Sequence, residues 1–387
     1  MKLIHLSDLH LGKRVNGFSM MEDQRYILKQ ILELAQEEHP DGLLIAGDVY
    51  DKGIPTVEAV QLLNDFLCRL AQAGIPVFLI SGNHDSAERL AFGAELLESR
   101  RVHISPVYDG KLKKVTLTDE YGPVHVYLMP FLKPAYVRHV HPEAEADSYE
   151  SAVQAVLDRT SVNFAERNVL VAHQFVTGAK SCESEEISVG GIEQVNSSVF
   201  RNFDYVALGH IHSPQSVGRE TVRYCGTPLK YSFSESRQTK TVTLVTLGPK
   251  GEVQIEERPL VPLRDMRSIK GTYEEVTRRS FYENSNTKDY LQVVLTDEED
   301  VLDGLQKLRV IYPNLMQLVY DNRRTRENRS LVQEEMDQRK SEAELFAEFY
   351  QLQNNQPMDA WQEGFVRELM DEIKETEKRK GGKNEAM

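Results

Sequence analysis

Cysteine is scarce in this chain of 387 residues: there are three, Cys68, Cys182 and Cys225. Three scattered thiols cannot build a disulfide framework or a cysteine-based zinc site, and they read as buried free thiols of a reducing compartment. Long apolar runs are missing as well. No stretch approaches the roughly 18–20 residues of a membrane helix, so no membrane span is expected. The opening Met1-Lys2 leads into a short apolar run broken at His5 and Ser7, which does not have the pattern of a signal peptide. The expected location is the cytoplasm. Positive charge is in deficit: 46 Lys plus Arg stand against 60 Asp plus Glu, a formal net charge of −14. Such a chain does not attract nucleic acid through its overall field. Binding DNA would need a local basic path, bound metal, or a partner that brings charge. No internal repeat is visible. What remains, 40% hydrophobic and 27% charged residues, is an ordinary globular composition over a length that exceeds one domain.

The first 230 residues alternate strand and helix patterns. KLIHLS (2–7), GLLIAG (42–47) and PVFLIS (76–81) read as buried strands. Between them, Tyr26, Ile27, Ile31, Leu34 and Ala35, then Val57, Val60, Leu63, Phe66, Leu67 and Leu70, recur at helical spacing. This order implies parallel strands with helical crossovers. NVLVAH (168–173) and YVALGH (205–210) are further strands, each ending in histidine. Alternating Val, Thr and Tyr over 111–128 and 216–258 predict antiparallel strands, hence two packed sheets flanked by helices. RPLVPLRDMR reads as a linker. Beyond it, DYLQVVL and NLMQLVY predict strands, with EEDVLDGLQKLRVIY as a helix between them. Residues 321–340, with Arg323, Arg324, Arg326 and Arg329, read as a charged tether. Leu345, Phe346 and Phe349, then Trp361, Phe365, Leu369 and Ile373, predict a short amphipathic segment.

The chemistry concentrates where strands end. Five loops carry Asp8 and His10, Asp48, Asn83-His84-Asp85, His173, and His210 with His212. Taken singly, each has an ordinary explanation: a satisfied structural histidine, a Gly-Asp turn, an Asn that tolerates left-handed backbone. In Gly-His-Ile-His the two imidazoles point to opposite faces unless the backbone turns. Taken together, five loops at the carboxyl ends of strands converge on one edge of a parallel sheet. Imidazole, carboxylate and amide oxygen without thiolate suit manganese, iron or zinc, with manganese favoured. Seven candidate ligands are too many for one ion and enough for two, and ions sharing a carboxylate sit about 3.5–4 Å apart.

DLHLG, GDVYD, GNHD, VAHQF and GHIH resemble the motifs of the calcineurin-like metallophosphoesterase superfamily. DLHLGKR with EDQ (22–24), and GHIHSPQ with YCGTPLKYSFSE (224–235), resemble the bacterial SbcD nuclease-subunit family, over about residues 1–375. The resemblance implies a four-layer α-β-β-α sandwich (1–262), a small α/β capping domain (263–322), and a tether with a helical partner-binding segment (323–387). It implies two divalent ions, Mn2+ foremost and Mg2+ as an option. Asp8, His10, Asp48 and His212 would hold one; Asp48, Asn83, His173 and His210 would hold the other. A water between them would attack phosphorus. His84 would protonate the leaving oxygen or stabilise the charge that develops, oriented by Asp51. Phosphoprotein-directed relatives carry Arg where this chain has Lys52, and archaeal and eukaryotic repair nucleases carry His where it has Asp51. Both departures place it nearer the bacterial group and leave the role of Asp51 open.

The resemblance further implies an SbcC-type coiled-coil ATPase docked on the C-terminal segment, DNA ends and hairpins as substrates, a homodimeric core, and no membrane partner. The implied activity is ATP-dependent 3′–5′ double-strand exonuclease and single-strand endonuclease. A helical hairpin packed on its own domain is the other reading of the C-terminal aromatics. A stand-alone phosphodiesterase for a small substrate, and a scaffold that has lost its site, are the rival functions. Lys13 and Arg14 are candidate phosphate contacts or plain solubilising charges. Asp85 reads as structural, and His5, His39, His103, His125, His139 and His141 match no motif.

Overall fold

The computed structural model describes residues 1–185, 194–323, 325, 346–347, 350, 357–359 and 361–366. The expected tether residues Arg324, Arg326 and Arg329, and Leu345, Phe349, Leu369 and Ile373 of the amphipathic segment, lie outside the described residues.

Two six-stranded sheets form the centre. In the first, Lys2–Leu6, Gly42–Ala46, Val77–Ile80 and Val102–Ile104 run parallel in that order. Thr241–Leu247 and Val253–Pro259 extend it antiparallel from the Lys2–Leu6 side. In the second, Tyr205–Gly209, Arg167–His173 and Gly122–Met129 are parallel neighbours, with Lys113–Asp119 antiparallel at one edge. Arg219–Tyr224 pairs parallel with Tyr205–Gly209, although alternation predicts only antiparallel pairing in that stretch. Alternation carries no information on strand direction.

Strand periodicity sorts the apolar residues into layers. Leu3, Leu44, Phe78, Val169, Val171 and Ala207 face inward and meet between the sheets. Ile4, Leu43, Ile45 and Leu79 face outward onto the helices Met21–Glu38 and Val57–Gln72. Leu170, Val206 and Leu208 face outward onto Tyr149–Asp158. The result is the four-layer α-β-β-α sandwich.

Some local expectations change. Tyr26, Val57 and Val60 are exposed, since Leu28 and Leu62 complete the buried helix faces instead. The helix expected over 298–312 is confined to Gly304–Arg309, because Asp303 holds a left-handed backbone (φ 55°) that an α-helix cannot continue through. Of the three free thiols only Cys225 is buried; Cys182 is half-buried and Cys68 exposed. No helix among the described residues is long and apolar enough to cross a membrane.

The chain divides into two compact units. One comprises Met1–Lys270, Glu274–Val294 and Asp303–Val319; the other comprises Gly271–Tyr273, Leu295–Leu302 and Tyr320–Met387. Within the first, the proline-bearing stretch is pinned, with Arg264 on Asp23 at 2.6 and 3.0 Å and Tyr290 donating to the same carboxylate at 2.7 Å. Within the second, Asp321 N donates to Leu295 O at 2.8 Å and Asn322 Nδ2 to Asp297 O at 3.1 Å. Trp361 and Phe365 lie in one helical turn with stacked rings, and both are exposed.

The sheets approach closely at their carboxyl edges. A Cβ on Gly209 would overlap the Ala46 carbonyl oxygen across the gap. Gly209→Ala is therefore expected to cost about 1–3 kcal/mol or more by overpacking, read as a lowered urea midpoint with an unchanged slope.

Candidate metal centre

The residues singled out at strand ends meet at this edge. His173 continues the inward parity of Arg167–His173 and sits between the sheets, fully buried. Its Nδ1 donates to Ala46 O at 2.8 Å, which leaves Nε2 facing Asn83 Oδ1 at 2.9 Å and Asp48 Oδ2 at 3.3 Å. His210 Nδ1 lies 3.0 Å from the same Asn83 oxygen. On the other side, His10 Nε2 faces His212 Nε2 at 3.2 Å. Asp8, His10 and His212 form one cluster of converging ligand atoms. Asp8, Asp48 and His173 form another, and His10, Asp48 and His84 a third. Asp8, His10 and Asp48 each belong to two of these, so the three clusters overlap.

Backbone conformation makes this convergence possible. Asp8, His10, Asp48 and His210 all have positive φ, at 52°, 44°, 47° and 103°. Each turns the chain sharply as it leaves a strand, at a cost of about 1–2 kcal/mol for a side-chain-bearing residue. The turn at His210 is what lets His210 and His212 serve one site despite their alternating positions. The two acidic loops run side by side, with Asp8 N on Gly47 O at 3.0 Å, His10 N on Asp48 O at 2.9 Å and Leu11 N on Val49 O at 2.9 Å.

His84 is half-buried beside this cluster. Its amide donates to Asp48 Oδ1 at 2.9 Å, and its Nε2 stands 4.0 Å from Asp48 Oδ2. Its Nδ1 donates to the backbone carbonyl of Asp51 at 3.1 Å. The contact between the two is thus through main chain, and not the expected His–carboxylate pair. The Asp51 carboxylate accepts from Lys13 at 2.8 Å and stands 3.9 Å from His10 Nδ1. Lys13 is thereby engaged inside the site, and the Arg14 guanidinium is held on Gly17 O. Asp85 accepts from the amides of Val49, Tyr50 and Gly82, a structural role. His5 on Tyr205 OH at 2.9 Å, His125 on Glu166 at 2.6 Å and His141 on Tyr108 OH at 3.0 Å are structural pairs.

Strand-end motifs did not reveal the support around His212. Its Nδ1 meets Ser184 Oγ at 2.6 Å; that half-buried hydroxyl donates to Glu235 Oε1 at 2.7 Å; and Glu235 Oε2 pairs with Lys240 Nζ at 2.5 Å, both of the last two side chains buried. Lys240 also donates to His212 O at 2.9 Å. The chain fixes Nδ1 as the protonated nitrogen and leaves Nε2 as the free donor atom. Only the Ser-Phe-Ser-Glu run ending at Glu235 carried any sequence signal for it.

The electrostatics of the cluster suit a cation. Burial pushes the Asp8 carboxyl well above the usual carboxylate range. Burial also opposes charge on Asp48, but the imidazoles of His173, His10 and His84 outweigh it and hold that carboxyl low. Burial drives His210 down to about 3, and His10 and His212 well below the ordinary histidine value. His173 is the exception: burial opposes its charge, but the Asp48 carboxylate beside it outweighs burial and holds it up at about 9. The His10 and His212 imidazoles, kept neutral by burial, face one another, and His10 Nδ1 and His210 Nε2 have no hydrogen-bond partner among the described residues. Carboxylate, imidazole and amide donor atoms that converge without a thiolate are the ligand types of a divalent cation, so the residues present fit one.

Comparison with known proteins agrees. The family model described as calcineurin-like phosphoesterase matches residues 1–214. The class is therefore that of the calcineurin-like phosphoesterases, metal-dependent phosphoester hydrolases. A second model, described as type 5 capsule protein repressor C-terminal domain, matches residues 262–354. The SbcD subunit of the SbcCD nuclease from Staphylococcus epidermidis is 32% identical over 384 residues, covering 97% of this chain and all of that one. The chain belongs to the SbcD family. Among solved structures, a dimetal phosphatase from Danio rerio aligns over 68% of this chain and 98% of its own, at 11% identity and TM-score 0.40. A Thermus thermophilus protein aligns over 66% and 98%, at 12% and 0.38.

Removing support at His212 has a defined expected effect. Ser184→Ala should weaken divalent-ion binding at the His212 position about 10–100-fold, measured by Mn2+ titration calorimetry. Asp48→Asn should weaken Mn2+ binding further.

Proposed function

We propose that this chain is the nuclease subunit of a complex with an SbcC-type coiled-coil ATPase, hydrolysing DNA phosphodiester bonds with two divalent ions. The likeness to the SbcD subunit of an SbcCD nuclease along nearly the whole chain carries this reading. The proposed organisation is a nuclease domain over 1–262, a capping domain over 263–322 and a tether with a partner-binding segment over 323–387. Substrates would be double-strand ends, hairpins and single strands, with ATP-dependent 3′–5′ exonuclease and endonuclease action during replication, recombination and repair. Mn2+ is the preferred ion, the core a homodimer, and the compartment cytoplasmic. The partner and the ions would also bring the positive field that a chain of net charge −14 lacks.

In this reading Asp8, His10, Asp48 and His212 hold one ion, and Asp48, Asn83, His173 and His210 the other. When bound, the pair would neutralise phosphate charge and lower the pKa of an attacking water. The protein supplies the rest. The Asn83 and Asp48 oxygens, fixed at loop positions by the contacts above, would set where the ions sit and hence the line along which a phosphate can lie. His84, anchored at Nδ1, presents Nε2 to the leaving oxygen; as an imidazolium, with a proton on each nitrogen, it would serve as acid or as a charge-stabilising donor.

End-labelled linear duplex should be degraded in Mn2+, and much faster with an SbcC-type partner and ATP. Intact DNA alongside rapid hydrolysis of a small aryl phosphodiester would instead mark a small-substrate phosphodiesterase. His84→Ala should lower DNA cleavage by about 10²–10⁴-fold with Mn2+ content unchanged. Loss of the metal in that variant would move His84 into the ligand set.

A further inference from the structure

A cavity of about 740 Å3 opens beside Asn83 and His84, and the mechanism above gives it no role. Its volume lies within the roughly 300–1,000 Å3 of sites for organic ligands of nucleotide size. Tyr108, Phe131, Tyr136 and Lys133 form much of its wall.

These walls are tied to the metal centre. The Phe131 ring stands edge-on to His173 at 6.1 Å, and its amide donates to Ser81 O at 2.9 Å, next to the Gly82-Asn83 loop. Tyr108 is buried, with its hydroxyl held on His141 Nε2 at 3.0 Å. Tyr136 differs. It lies on the short helix Pro134–Val140, is 58% exposed, and its hydroxyl has no partner among the described residues. Lys133, just before that helix, is exposed, and its ammonium makes no ion pair or hydrogen bond among the described residues. The acidic groups of the wall are occupied: Asp85 accepts three backbone amides, and Glu88 accepts from Ser86 Oγ at 2.9 Å. An aromatic recess with one free cation among the described residues, sharing residues with a phosphoester-cleaving centre, has the chemistry of a nucleotide subsite.

We propose that this cavity receives the base of the nucleotide adjoining the scissile phosphate, unpaired and stacked against Tyr136, with Lys133 on a neighbouring phosphate. The proposal rests on the nuclease reading. A base inside a duplex is paired and stacked on its neighbours, so it must leave the helix to enter, at a cost least for single strands, frayed ends and hairpin loops. Aromatic stacking accepts any base, because every base has a π-face. The subsite therefore selects the state of the strand and not its sequence.

The test is single-turnover cleavage, by the full chain in Mn2+, of an end-labelled single-stranded oligonucleotide carrying one abasic residue. Wild type should cut the bond flanking the abasic residue at least about tenfold less than the other bonds. Tyr136→Ala should slow the other bonds by a similar factor and remove the dip, with Mn2+ binding unchanged. Tyr136→Phe, which keeps the ring, should restore both the rate and the dip. Wild-type protein that cuts no DNA overturns the nuclease reading and this proposal together. An even cleavage ladder across the abasic residue, with Tyr136→Ala cutting like wild type, overturns the subsite alone.

Discussion

The close approach of the two sheets at their carboxyl edges governs this molecule. Where Gly47 and Gly209 leave no side chain, His173 fits between the layers and donates to the Ala46 carbonyl. That hydrogen bond joins the last inward residue of one sheet to the end of the other. Loops from both sheets are then within ligand distance of one another, which neither sheet could achieve alone. The apolar packing of Leu3, Leu44, Phe78, Val169 and Ala207 behind this edge sets the spacing, so the geometry of the centre is a property of the whole sandwich.

The same edge concentrates electrostatic tension. Two buried carboxylates and four buried imidazoles crowd one space, while charge is anchored further out by the Glu235–Lys240 pair. Breaking a buried pair costs far more than the pair gains by forming, so Glu235 and Lys240 must be treated as a unit. Their hydrogen bonds through Ser184 and to the His212 carbonyl give one imidazole both its tautomer and its position.

The layered fold was legible because each strand is a short apolar run and each helix a periodic one, and the five loops announced themselves through residue type. Strand direction in 216–224 was not legible, because alternation is the same for both senses of pairing. The helix over 298–312 misled because apolar spacing continues through Asp303, where the backbone turns the other way. At the centre, residue types pointed to Asp8, His10, Asp48, Asn83, His173, His210 and His212. They could not show that Asp51 meets His84 through its carbonyl, since main-chain contacts leave no mark in residue identity. Ser184 was invisible for a related reason: a serine in a polar loop looks like any other until the fold brings a histidine to it.

The left-handed backbone at positions 8, 10, 48 and 210 has an evolutionary consequence. Those conformations exclude β-branched residues and penalise most others, while glycine, asparagine, aspartate and histidine enter them most readily. The routes out of this chemistry are therefore narrow. A descendant that discards the metals keeps its fold most easily by drifting to asparagine or glycine at these four places. Valine or isoleucine there would unsettle the strand ends before any new activity could arise. The loops thus preserve an imprint of the metal centre in their permitted alphabet, even in a lineage that no longer uses it.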